Sequence, residues 1–131
     1  MNTKLDKILT EISAGELIDK ITILEIKKEK IKNKDKLVEI EKELSSLNTT
    51  MKKFIPNNSE ISEFKNKLKE TNLKLWNIEN GTRSSEKNKD FGPKFVELAR
   101  GVYMYNDERA KIKLTINNSL GSNIKEVKHH E

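Results

Sequence analysis

The chain contains no cysteine, which removes a disulfide framework, a thiolate zinc site, an iron–sulfur cluster and a cysteine nucleophile together. Two prolines and five glycines in 131 residues leave few points where a regular element must end. Long apolar runs are missing as well. The apolar segments are as short as Ile23-Leu24 and Phe95-Val96, far below the roughly 20 residues that cross a bilayer. Residues 1–13, MNTKLDKILTEIS, alternate charged with apolar residues and hold no stretch of signal-peptide length. The expectation is a cytoplasmic protein with no membrane contact. Hydrophobic residues make up only 34% and charged residues 36%, against typical values of about 45 to 50% and about 25%. The core must therefore be narrow, and the length suits one domain.

Arginine is scarce too. Of 26 basic residues only Arg83, Arg100 and Arg109 are arginine, while asparagine and isoleucine number 14 each. Lysine, asparagine and isoleucine share A/T-rich codons, so much of the net charge of +5 records composition rather than a nucleic-acid footprint. The run Lys27 to Lys36 lacks interleaved aromatics, and no helix-turn-helix or zinc-finger spacing accompanies it. A nucleic-acid partner is not expected. In a chain that uses lysine nearly everywhere, the three arginines mark places where a planar, bidentate donor is needed.

What is present is periodicity. Ile12-Ser13-Ala14-Gly15-Glu16-Leu17 reads as a helix start, with Ser13 as N-cap, Glu16 completing a capping box and Ile12 stapled to Leu17. Leu17, Ile21, Leu24 and Ile31 form one stripe, and Ile18, Ile23 and Ile26 widen it. The phase slips at Asn33-Lys34-Asp35. The slip predicts either a break, with Asp35 capping a second helix, or a kink. Leu37, Ile40, Leu44, Leu47, Met51 and Phe54 then keep heptad spacing. Pro56-Asn57-Asn58-Ser59 is a strong turn, after which Ile61, Phe64, Leu68, Leu75 and Ile78 resume the pattern with Thr71 as its polar member. Two such stripes across a turn predict an antiparallel hairpin in which each faces the other. Asn80-Gly81-Thr82 weakens the helix, and Ser84 to Asp90 reads as a loop.

Pro93 opens the last helix at its first position. Its stripe is Phe95, Leu98, Val102, Tyr105, Arg109, Ile112 and Ile116, and beside it runs a small or polar stripe of Ala99, Tyr103, Asn106, Ala110, Lys113 and Asn117. Gly121 is its C-cap. Residues 5–12 and 121–127 read as extended or irregular, with a two-stranded contact between the termini.

Arg109 stands in an apolar stripe, where a guanidinium costs several kcal/mol unless paired. One reading is a structural ion pair with Glu25, Glu79 or Glu86. The other is an anion site. If the helix runs through Gly81, then Glu79, Arg83 and Glu86 share one face, and Arg100, Tyr103 and Asp107 share another. Facing one another with Asn106 and Arg109, they would clamp a carboxylate or phosphate. Glu79 or Asp107 would then serve as acid or base and Tyr103 as donor, much as in helical mutases that bind dicarboxylates. His129-His130 has too few companions for a metal site, Asp90-Phe91-Gly92 lacks a kinase context, and no nucleotide loop occurs. No cofactor or metal is expected. Glu16 and Asp19 read as helix N-terminal carboxylates.

Residues Ile12 to Lys27 (ISAGELIDKITILEIK), Leu75-Trp76-Asn77-Ile78-Glu79, Leu98 to Lys113 (LARGVYMYNDERAKIK) and Gly121 to Lys128 resemble a family of small uncharacterised bacterial proteins, a domain of unknown function. The resemblance covers most of the chain from Ile12 onward. Members occur alone or beside repeat and glycosyltransferase-like segments, which implies a context of cell-surface sugar assembly. No catalytic residue carries over. The chain departs from the family pattern at Asn80-Gly81, where a stronger helix is the rule.

The sequence thus predicts an all-α fold: an antiparallel, coiled-coil-like hairpin with a third long helix packed against it and short irregular termini. The expected organisation is an N-terminal extension (1–12), one helical domain (13–120) and a tail (121–131). Narrow, charged helices leave apolar surface uncovered, so homodimerisation through a hairpin seam is expected, with a protein partner as the other route. The functional expectation is an interaction or assembly module. The alternative is a small ligand-binding protein or enzyme with the arginine clamp.

Overall fold

The computed structural model describes residues 4–130; the remaining residues of the expected N-terminal extension and tail, 1–3 and 131, lie outside them. The fold is all-α, and the described residues form four helices: α1 Ala14–Lys30, α2 Lys34–Phe54, α3 Ser59–Lys87 and α4 Pro93–Leu120. Among the described residues no helix is long and apolar enough to cross a membrane.

Helix α1 starts where the cap predicts. Ser13 is extended, and its Oγ accepts from the Glu16 amide at 3.0 Å, satisfying one orphan N–H of the first turn. The reciprocal half of the capping box is replaced: the Glu16 carboxylate is taken up by Lys113 and Lys20. The slip at residues 33–35 is a true break, and Asn33 rather than Asp35 caps α2, accepting from the Lys36 amide at 3.1 Å. Asn58 caps α3 in the same way.

Helix α3 continues unbroken through Gly81 to Lys87, so Ser84 to Lys87 is helix and not the loop that its polarity suggested. The reason lies opposite. Gly81 packs on Leu98 of α4 and Gly101 packs on Ile78 of α3, so close helix contact offsets the intrinsic weakness of glycine. The pairs Glu60–Ser119, Lys74–Tyr105, Ile78–Gly101 and Gly81–Leu98 descend one helix as they climb the other. Helices α3 and α4 are therefore antiparallel partners along nearly their whole length.

That pairing differs from the expected one. The helix pairs in contact are α3 with α4, and α1 with each of the other three. The stripe of α2 faces α1, and the stripe of α3 faces α4. Helix α1 is responsible, because it is apolar on two sides. Leu17, Ile21 and Leu24 pack against Ile40 and Leu44 of α2, while Ile18 joins Ile61, Leu68 and Ile116 of the α3/α4 pair. A helix with apolar residues on two sides packs between two partners, and each fully buried Ile or Leu contributes about 1.5 to 3 kcal/mol.

The end of α4 is closed as the sequence predicts: Gly121 is left-handed at φ 61°, ψ 42°. Among the described residues there is no strand, so the termini do not pair as a ladder. They meet through side chains instead. Asn123 Nδ2 donates to Glu11 at 2.7 Å, and Ser122 Oγ accepts from the Ala14 amide at 3.1 Å.

Candidate functional site

On α1, Gly15, Asp19 and Thr22 recur at spacings of four and three, so they share one face. All three are buried. Gly15 permits a close helix approach: a Cβ there would lie 2.6 Å from the Lys113 carbonyl oxygen of α4. The Gly15 amide instead donates to Asn117 Oδ1 at 2.7 Å. One turn on, Asp19 is fully buried, with 0% of its surface exposed.

The Asp19 carboxylate is gripped from two helices. From α4, Arg109 Nε donates to Oδ1 at 2.9 Å and Oδ2 at 3.1 Å, and Arg109 Nη2 donates to Oδ2. From α3, Asn72 Nδ2 donates to Asp19 Oδ1 and to Thr22 Oγ1, both at 2.9 Å. Thr22 Oγ1 in turn donates to the Asp19 carbonyl at 2.7 Å. A buried charge needs both a counter-charge and its remaining lone pairs filled, and this arrangement supplies both. The carboxylate raises the Arg109 pKa above its ordinary value, through hydrogen bonding first and charge second, against the opposing effect of burial.

A second polar set flanks the first. Lys113 Nζ donates to Glu16 at 2.5 Å, and Glu126 in the tail accepts from Ser13 Oγ at 2.7 Å and Asn117 Nδ2 at 3.4 Å. Lys128 closes on Asp107 at 3.1 Å. The tail so folded back borders a cavity of about 560 Å³ with Asn106, Arg109, Lys113 and Asn117. A second cavity, of about 430 Å³, opens on the other flank of Arg109 and Asn106, with Ile23, Leu75, Trp76 and Val102 among its walls.

The partner of Arg109 is thus Asp19, not Glu25, Glu79 or Glu86. Glu25 is held by Lys65 and Lys69, and Glu79 pairs with Arg83 one turn away on the exposed face of α3. Of the residues that the sequence singled out, Asn106 and Arg109 border both cavities, Asp107 the first and Glu79 the second. Arg83, Arg100 and Tyr103 border neither of these two, and all three are exposed. Neither of these two cavities brings a second guanidinium to Arg109. Thr22 and Asn72 carried no functional signal in the sequence, and Asp19 and Asn117 stood there only as a helix N-terminal carboxylate and a member of the polar stripe of α4. Among the described residues no group of three or more His, Asp or Glu stands close enough to hold a metal ion.

The model of a protein family described as a family of unknown function (DUF6165) matches residues 8–131. No curated protein and no solved structure matches the chain.

Proposed function

We propose that the chain, which belongs to the DUF6165 family of unknown function, is an assembly module that pairs with a second copy of itself through the outer face of α4. The observation that carries this reading is a heptad on the side of α4 turned away from α3. Val96, Arg100, Tyr103, Asp107, Ala110 and Leu114 follow spacings of four and three, and all but Ala110 are exposed. Tyr103 is 59% exposed and Met104 beside it 57%. In a chain so poor in apolar residues, several large ones on one outward face support a docking surface.

The charges on that face favour a copy of the same chain. Two copies of α4 meeting antiparallel about a two-fold axis between Tyr103 and Met104 bring Arg100 of each opposite Asp107 of the other, where it joins Lys128 on the same carboxylate. Tyr103 then stacks beside Met104 of the second copy. An isologous interface demands this kind of self-complementarity. The buried Asp19–Arg109 centre is, in this reading, the joint that fixes α1 across the α3/α4 pair and so keeps the outer face of α4 straight.

Light scattering coupled to size exclusion tests the proposal. The wild type should elute with the mass of two chains, and Tyr103→Glu with the mass of one at unchanged helical circular dichroism. A wild-type monomer at the highest attainable concentration would refute the reading.

A further inference from the structure

We infer that the second cavity, bordered by the C-terminal half of α1 and by α3 and α4, is a binding site for a small apolar carboxylic acid that carries a hydroxyl or amino donor beside its carboxylate. Three observations converge on this chemistry. The first is the unused edge of Arg109. Asp19 occupies Nε and one side of Nη2, and among the described residues Nη1 donates to nothing. Both hydrogens of Nη1 and one of Nη2 therefore remain, in the end-on fork geometry that takes a second carboxylate.

The second is Asn72. Its side chain is nearly buried, at 6% exposure, and both hydrogens of its Nδ2 are spent on Asp19 and Thr22. Its Oδ1 accepts no hydrogen bond among the described residues, and Asn72 borders the cavity. That oxygen is not sealed from solvent, so it stands open to accept from the hydroxyl or amino group of the ligand. The third is the wall. Ile23, Ile26, Leu75, Trp76 and Val102 give the cavity an apolar body, and its volume of about 430 Å³ falls in the ordinary range for small-molecule sites. An apolar pocket with a few convergent polar groups matches an aromatic or branched aliphatic acid better than an inorganic anion.

Trp76 is the only tryptophan in the chain and sits in the wall, so it reports occupancy directly. The experiment is a titration of the wild type with 3-phenyllactate, 3-phenylpropionate and 3-phenylpropan-1-ol, read by Trp76 emission and by its indole N–H resonance. The site predicts saturable binding of 3-phenyllactate. It predicts binding about tenfold weaker for 3-phenylpropionate, which lacks the donor, and weaker still for the alcohol, which lacks the carboxylate. Val102→Phe fills the cavity from a half-exposed position without touching the Asp19 centre, and should abolish the response. Arg109→Lys keeps the charge but loses the fork, and should weaken the acids while leaving the alcohol unchanged. If 3-phenyllactate leaves Trp76 unperturbed, if the alcohol binds as tightly as the acids, or if Val102→Phe binds like the wild type, the inference is overturned. The titration reads the same for one copy or two, so its failure leaves the assembly reading standing.

Discussion

Asp19, fully buried on α1, is held by Arg109 through both of its carboxylate oxygens, ninety positions later in the chain. The two residues join the first helix to the last, and Asn72 adds the third helix to the same carboxylate. Removing one member strands a buried charge, whereas removing both removes the need for either.

Asp19→Leu alone should therefore cost about 3 to 5 kcal/mol, and Arg109→Met a similar amount. Asp19→Leu with Arg109→Met should recover most of the loss. Urea denaturation of the four proteins checks the cycle. Additive losses in the double variant would show that the two side chains act independently.

Gly15 gives a sharper packing prediction. A Cβ placed 2.6 Å from the Lys113 carbonyl oxygen and 2.9 Å from Asn117 Oδ1 meets backbone on one side and a hydrogen-bonded side chain on the other. Gly15→Ala should destabilise by about 1 to 3 kcal/mol, although the same change in an unencumbered helix stabilises by about 1 kcal/mol. A raised melting temperature would show that α1 and α4 are not in close contact at this point.

The Glu29–Lys69 bridge, at 2.8 Å, supplies the pH dependence. Lys69 holds the Glu29 carboxyl below its ordinary pKa, mainly through their hydrogen bond, and Glu29 holds the Lys69 ammonium above its own. The carboxyl contribution is complete above the ordinary glutamate value and fades as pH falls through the lowered one. The ammonium contribution is complete below the ordinary lysine value and fades as pH rises through the raised one. The stability difference between wild type and Lys69→Met should thus be small, flat between roughly pH 5 and 10, and diminish outside that window. Thermal melts across pH read it, and a difference that grows towards acid would contradict the pairing.

Much of the fold was legible because it rests on local chemistry. Ser13, Pro93 and Gly121 announce helix ends through capping and backbone geometry alone, and the apolar periods follow from burying one face. Partner choice is different. The stripes of α2 and α3 carry no label saying which neighbour they face, and the width of the apolar surface on α1 decides it. The same holds for Arg109. Its need for a carboxylate was plain from its place in the stripe, but spacing along one helix cannot say which distant acid answers. The small or polar stripe of α4 that ends in Lys113 and Asn117 was visible, as were Gly15, Asp19 and Thr22. That the two stripes touch is a property of how α1 lies on the α3/α4 pair, and no local pattern encodes it.

Charge exchange across the α4 face tests the assembly reading most directly. Arg100→Asp places two acids against each other at both symmetric contacts, and Asp107→Arg does the same with two bases. Each variant alone should sediment as a monomer. An equimolar mixture restores opposite charges at both contacts and should sediment as a heterodimer. Two variants that remain dimeric alone, or a mixture that stays monomeric, would contradict the account.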